Sequence, residues 1–378
     1  MRPGMHWLLR LLRGQARWND APETEWMKVL DLAEQENVLP WAATRLRAQL
    51  DNSASPFAAR LERVARNARV FAFLWSATLR STLAEFHHRS IPVLSLKGPW
   101  MAHRLYGDAS LKLYSDLDLL VHRQDIARAE SLLVQLGFHA KERRDDYHRP
   151  WHREGLRIEL HHDVENPLAF DFRVEDAWGR AVPAAFDGVP ARLLSPPDEL
   201  LFLCLHSVRH RFERLSHVLD LLLAFHHFGD AVSAAAKCAP AAQRVLTLGA
   251  IMASRLDPRF AVPAEFARTS DYTALERLAD SLWEERMQQP APALDWKLQH
   301  RFYLALETRP WDRLFARFRH LRILATRLIE PDFAFAARFH LDRSWQVWLV
   351  RPIRLLRRSA MRPPADPRWS PENIHVNG

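Results

Sequence analysis

The sequence predicts an α+β protein: a small mixed β-sheet core carried between an N-terminal and a C-terminal helical region. Three observations lead there. Residues 1–90 hold long runs with apolar residues at helical spacing, residues 91–194 alternate short β-rich runs with helical ones, and from 195 the helical texture returns. The expected division is a helical region over 1–90, an α/β core over 91–194, a helical domain over 195–355 and a mobile tail over 356–378.

The first run, MRPGMHWLLRLLRGQARW, is broken by Arg10 and Arg13 and lacks a small-residue cleavage site, so it predicts a first helix rather than a signal peptide. PETEWMKVLDLAEQENVLPWAATRLRAQL places Trp26, Val29, Leu30 and Leu32 or Ala33 on one helical face, and Asn37 interrupts the run before Val38. PFAARLERVARNARVFAFLWSATLRSTLAEFHHRS gives a long amphipathic helix with no internal Pro or Gly.

From residue 91 the texture changes. IPVLSL reads as a strand and Lys97-Gly98-Pro99 as a turn. WMAHRLYG reads as a helix that Pro99 starts and Gly107 ends. LYSDLDLLV is a second strand, RQDIARAESLLVQLGF a helix closing at Gly137, and GLRIELHHDV a third strand after a charged, hairpin-like stretch. GVPARLLS is a fourth. Ser195-Pro196-Pro197-Asp198 has capping-box spacing and opens ELLFLCLHSVRH, which LSHVLDLLLAFHHF follows as a second apolar helix.

Composition narrows the class. Hydrophobic residues make up 48% and charged residues 26%, the balance of a globular chain. No apolar run reaches 18 residues, so no helix is expected to span a bilayer. Cys204 and Cys238 can form no disulfide framework and have no metal-ligand spacing, which points to a cytoplasmic protein. The net charge of +8 is compatible with an anionic partner at a basic surface, and equally with arginines spread over that surface.

Asp116 and Asp118 pose a problem, because Leu117, Leu119, Leu120 and Val121 around them ask for burial and an unpaired buried carboxylate is costly. On a strand they share one face, while Leu117, Leu119 and Val121 share the other. A divalent cation would relieve their repulsion, and oxygen donors favour Mg²⁺ or Mn²⁺ over zinc. A solvated strand edge would also accommodate them. The turn at Lys97-Gly98 offers a lysine and free backbone N–H groups to phosphate. Glu159 brings a third acid, with Ile158 and Leu160 on the opposite face. His161 and Asp163 share the Glu159 face: His161 could orient a phosphate or take a proton, and Asp163 is the alternative third acid.

Strand, glycine turn, helix, strand with Asp-x-Asp, then a later strand with an acid resembles the nucleotidyltransferase superfamily related to DNA polymerase β. LSLKGPWMAHRLYGDASLKLYSDLDLLV, with RAESLLVQLGF and IELHHDV, is similar to a bacterial branch described as uncharacterised nucleotidyltransferases. The resemblance extends over about residues 25–230 and is most specific over 94–121. It implies a nucleotidyltransferase sheet core and transfer of a nucleoside monophosphate from an NTP, such as ATP, with release of pyrophosphate. It also implies catalytic and metal-holding roles for Asp116, Asp118 and Glu159, and nucleotide binding by Lys97, Gly98 and Ser115. The acceptor is not written in the sequence; a sugar, a small molecule, a protein hydroxyl or RNA would fit. One departure stands out: the superfamily usually has Gly-Ser or Gly-Gly at the turn, whereas Pro99 has neither N–H nor hydroxyl to give a phosphate. That departure is what a catalytically silent binding or regulatory protein of the same fold would show.

The remaining motifs read as structure. His206, Arg214 and Asp220, on or beside the two apolar helices, suggest packing or helix–helix hydrogen bonding. WQVWLVRPIRLLRRSAMR reads as a docked helix with its arginines turned to water. No Walker loop, Gly-x-Gly-x-x-Gly, His-Glu-x-x-His or Gly-x-Ser-x-Gly is present.

Overall fold

The computed structural model of the chain describes residues 1–50, 55–140, 147–164, 172–235, 237 and 240–290, with 306, 318, 339 and 349. Two compact units divide the chain, Met1–Arg313 and Leu314–Gly378, and every element below belongs to the first. The tail over 356–378, the basic aromatic segment over 345–362 apart from Leu349, and Cys238 lie outside the described residues.

The N-terminal helices are α1 (Met5–Leu12), α2 (Glu23–Gln35), α3 (Leu39–Arg47) and α4 (Pro56–His88). Asn37 makes the break between α2 and α3 with a left-handed φ of 58°, a conformation asparagine tolerates better than most residues. Pro56 sits at the first turn of α4, and Ser55 Oγ accepts the Ala58 N–H at 3.1 Å.

The core then runs β1 (Val93–Ser95), α5 (Pro99–Tyr106), β2 (Leu117–Val121), α6 (Ile126–Gln135), β3 (His139–Ala140), β4 (His148–Arg153) and β5 (Leu156–His161). It continues with α7 (Val174–Arg180), β6 (Val182–Phe186) and β7 (Val189–Leu193). After it come α8 (Pro196–Arg209), α9 (Leu215–His227), α10 (Val232–Ala235), α11 (Pro240–Leu256), α12 (Ala264–Ala267) and α13 (Tyr272–Gln288). No single helix among the described residues is long and apolar enough to cross a membrane.

The seven described strands form one mixed sheet in the order β3-β4-β5-β2-β1-β7-β6. β1 runs antiparallel to β2 and parallel to β7, β2 runs parallel to β5, and β4–β5 and β6–β7 are hairpins. Four strands are legible in the sequence; β3, β4 and β6 are not. HRPWHR and VPAAF each carry a proline and little β-branched character, so neither announces itself as a strand.

Alternation assigns the two faces. Leu117, Leu119, Val121, Ile158 and Leu160 are buried with Trp75, Leu79, Leu83 and Phe86 of α4 and Leu132 and Leu133 of α6. Leu120, which shares its face with Asp118, joins a second apolar cluster that gathers residues of α1, α2, α3, α5, α8, α9, α11 and α13. Helices from both ends of the first unit thus pack together over the face that carries the acids.

One local expectation is corrected. Prolines 196 and 197 do open α8, but no capping box forms. Ser195 Oγ instead donates to Asp198 Oδ2 at 2.6 Å, and the Arg180 guanidinium holds the same carboxylate at 2.7 and 2.9 Å. A capping box needs Ser195 Oγ to accept the Asp198 N–H; turned to donate to the charged carboxylate, the hydroxyl makes no such bond.

Candidate active site

The turn between β1 and α5 is built around Gly98, whose φ of 89° and ψ of −153° fall in a region essentially reserved for glycine. A Cβ there would stand 3.2 Å from Leu117 Cδ2, inside the β2 packing. Gly98→Ala is therefore expected to lower stability by about 1–3 kcal/mol, read as the denaturation midpoint of the purified variant. An unchanged midpoint would show that the turn re-forms without the strain. Pro99 occupies the first position of α5, and Gly107 closes the helix with a φ of 79°.

The turn holds Lys97 against β2. Leu96 N–H donates to the Asp118 carbonyl at 3.0 Å, and Lys97 Nζ lies 3.0 Å from Asp118 Oδ2. Asp118 is 1% exposed. Asp116 precedes the strand and is half-buried, and exposed Ser115 donates its hydroxyl to Asp116 Oδ2 at 3.3 Å.

Parallel pairing of β2 with β5 sets Asp118 opposite Glu159 and Leu120 opposite His161. One residue of slip would have turned Leu160 toward Asp118. His161 Nε2 donates to Asp118 Oδ1 at 2.9 Å and lies 3.5 Å from Glu159 Oε2. Its Nδ1 faces the Asp163 carbonyl at 3.3 Å. Glu159 is further held by Arg157, and His148 Nε2 stands 3.6 Å from Glu159 Oε2. The His148 and His161 rings stack with centroids 5.0 Å apart. Donor atoms of Asp118, Glu159 and His161 all lie within 4.8 Å of one another, the one such group among the described residues. Asp163 stands outside it, its Oδ1 accepting the Val164 N–H at 2.9 Å.

The charges compensate one another. Burial would raise Asp118, but Lys97 and His161 outweigh it and hold the carboxyl well below the usual range. Burial would lower His161, and its bonds to Asp118 and Glu159 lift it instead to about 9. Glu159, raised by burial, is drawn down to about 2 chiefly by His161. Among the described residues Asp116 forms no such pair: burial and the Asp118 charge outweigh the pull of Lys97 and push it up to about 6. Burial, reinforced by the His161 charge, lowers His148 to about 3, so it is neutral at pH 7. The two aspartates that look equivalent in the sequence are electrostatic opposites.

Two further basic groups reach this cluster: His206, expected from the sequence to serve packing or helix–helix hydrogen bonding, and Arg209, which no sequence pattern singles out. His206, on α8, has Nδ1 at 3.4 Å from Lys97 Nζ and 3.3 Å from Arg209 Nη2. Arg209 Nη1 donates to Tyr147 Oη at 2.8 Å, and Tyr147 lies beside His148 with ring centroids 4.5 Å apart. Asp220 serves a different purpose, accepting Lys112 Nζ at 2.7 and 2.8 Å and Tyr106 Oη–H at 2.6 Å, which ties α9 to α5 and the segment leading to β2. Arg214 is exposed at the start of α9.

A mixed sheet that presents a lysine-bearing glycine turn and carboxylates on neighbouring parallel strands is the arrangement of a nucleotidyltransferase core. The chain belongs to the family described as uncharacterised nucleotidyltransferase, whose model matches residues 22–256, and by that membership it is a nucleotidyltransferase. Among curated proteins no relative matches it. Among solved structures it is similar to the antibiotic-resistance factor ANT(2'')-Ia in solution, at 15% identity over 42% of this chain and 89% of that one, with a TM-score of 0.32. The crystal structure of ANT(2'')-Ia with adenylyl-2''-tobramycin gives 15% identity over 49% and 98%, with a TM-score of 0.34. An apo tRNA-processing enzyme gives 14% over 73% and 87%, with a TM-score of 0.25.

Proposed function

We propose that this chain moves a nucleoside monophosphate from an NTP to an acceptor hydroxyl, releases pyrophosphate, and requires Mg²⁺ or Mn²⁺. The observation that carries the proposal is the β2–β5 register, which gathers Asp118, Glu159 and His161 beside Lys97 on one buried face. Two carboxylates with an imidazole, and Asp116 adjoining, suit a divalent cation whose preferred donors are oxygens. When bound, such cations stabilise the charge on the attacking and leaving oxygens.

The chain's own residues do the rest. Lys97 and the Gly98 turn hold phosphate oxygens, with Ser115 at the rim. Asp116, Asp118 and Glu159 would hold the cation, and Glu159 assists deprotonation of the acceptor hydroxyl. The acceptor oxygen bonds to the α-phosphorus as the bond from that phosphorus to its bridging oxygen breaks, and pyrophosphate leaves with the electron pair. The acceptor is a sugar, a small molecule, a protein hydroxyl or RNA, and the reaction belongs in the cytoplasm.

A second reading is favoured by one observation: both Asp118 oxygens already face internal cations, Lys97 and His161, while Pro99 offers no N–H. On that reading the site binds nucleotide without turnover. Incubation with Mg²⁺ or Mn²⁺, labelled NTPs and a cell extract separates the two. Metal-dependent pyrophosphate release with label on one acceptor class supports transfer; nucleotide binding by calorimetry with no release supports the silent module.

A further inference from the structure

Lys97 and Arg209 reach the same atom from two directions, one from the β1–α5 turn and one from the C-terminal end of α8. His206 Nδ1 can accept only one proton along its lone pair, yet a lysine ammonium stands at 3.4 Å and a guanidinium nitrogen at 3.3 Å. Two cations of like sign are thus kept close with a neutral ring between them. Behind His206, the rings of His210 and His217 lie 4.6 and 5.5 Å away, centroid to centroid, and 5.2 Å from each other. Burial keeps all three imidazoles below their usual range, and Lys97 presses each of them lower still.

This arrangement gains when a polyanion arrives. Repulsion between Lys97 and Arg209 is relieved, and the histidines behind them become easier to protonate. Lys97 ties the patch to the acid cluster through Asp118, and Arg209 ties it to the other rim through Tyr147 and hence His148. A phosphate chain seated between Lys97 and Arg209 would lie along one edge of the carboxylate site. That edge is also where Pro99 withholds the N–H on which a phosphate would otherwise lean.

We propose that Arg209 is a nucleotide-binding residue that, with Lys97 and across His206, grips the distal phosphates of the NTP and the pyrophosphate that leaves. The assignment rests on the nucleotidyl-transfer reading and names a contact which that reading does not need. A guanidinium suits this position because its planar fork can hold two oxygens of a phosphate at once.

The test is calorimetric titration of the full chain with inorganic pyrophosphate and Mg²⁺, alongside steady-state kinetics with NTP. Arg209→Gln is expected to weaken pyrophosphate binding by about tenfold to a hundredfold, the usual effect of losing a hydrogen bond to a charged group. KM for NTP rises by a similar factor and more than kcat falls. Arg209→Lys keeps the charge but not the fork and recovers part of the loss. Unchanged pyrophosphate affinity in Arg209→Gln overturns the proposal, as does absence of binding to the unsubstituted chain. A lysine variant as weak as the glutamine one also overturns it, because the side chain then acts through its packing on Tyr147. Binding is read without turnover, so a chain that binds pyrophosphate through Arg209 but consumes no NTP sinks the transferase reading and leaves this one standing.

Discussion

Asp118→Asn is expected to abolish nucleotidyl transfer and to lower the stability of the metal-free protein by about 3 kcal/mol, the effect of removing one partner of a buried ion pair. Asp116→Asn is expected to abolish transfer as well, with stability held or raised. On the strand pattern alone the two substitutions are equivalent, and relief of repulsion would stabilise both. The structure separates them. Asp118 meets Lys97 at 3.0 Å and His161 at 2.9 Å, so neutralising it takes the counter-charge from half-buried Lys97 and leaves buried His161 to the longer Glu159 contact at 3.5 Å. Asp116 has no such pair among the described residues, and its carboxyl is already driven up to about 6 by burial and by Asp118. Thermal unfolding of both variants in chelator checks the difference; equal midpoints would show that Lys97 and His161 do not depend on Asp118.

The same pair fixes a pH window. His161 is raised from 6.5 to about 9 in the folded chain. Its stabilisation is complete below the unfolded value of 6.5 and is lost as pH rises through 9. Asp118 is lowered, so its share is present above the unfolded value of 3.8 and is lost as pH falls below it. The metal-free protein therefore loses this stabilisation on raising pH from about 6.5 to 9, and Asp118→Asn flattens that loss.

How much of this was open to a reader of the sequence depends on how local each signal is. The Gly98 turn, the Pro99 start and Gly107 end of α5, and the alternation of Leu117 to Val121 and Ile158 to Leu160 are all local patterns. They place Asp118 and Glu159 on one face without knowledge of any partner. What meets Asp118 is less local: the sequence offers Lys97 to a phosphate, whereas the folded chain pairs it with the acid. His148 was recoverable in principle. Glu154-Gly155 forms a two-residue turn with φ values of 47° and 80°, and pairing outward from Arg153 and Leu156 sets His148 across from His161. Pro150, in the middle of β4, hides that hairpin from a propensity reading. Arg209 could not be found this way. It reaches Tyr147 and His206 only because α8 packs over the acid-bearing face, and no spacing in the chain encodes that approach.

Glu159→Gln is expected to reduce transfer by about a hundredfold or more while nucleotide binding is largely retained. Glutamine preserves the shape and keeps an oxygen for Arg157 and His161, but it removes the charge that shares a cluster with Asp118. Two roles for that charge give different pH profiles. A carboxylate that accepts the acceptor's proton works best with a pKa near the working pH. Glu159 is instead drawn down to about 2 by His161, which makes it a weak base and a good holder of positive charge. Asp116, pushed up to about 6 in the metal-free chain, would be lowered by the cation it is proposed to hold, so it is no base poised near pH 7 in the loaded site either. The titration of Asp116 should therefore appear in metal binding rather than in kcat: affinity for Mg²⁺ should rise with pH through about 6 and level off above it. That dependence should be absent in Asp116→Asn and should survive in Glu159→Gln. A kcat limb near 6 that disappears with Glu159→Gln would instead make Glu159 the proton acceptor, its low pKa not persisting in the working site.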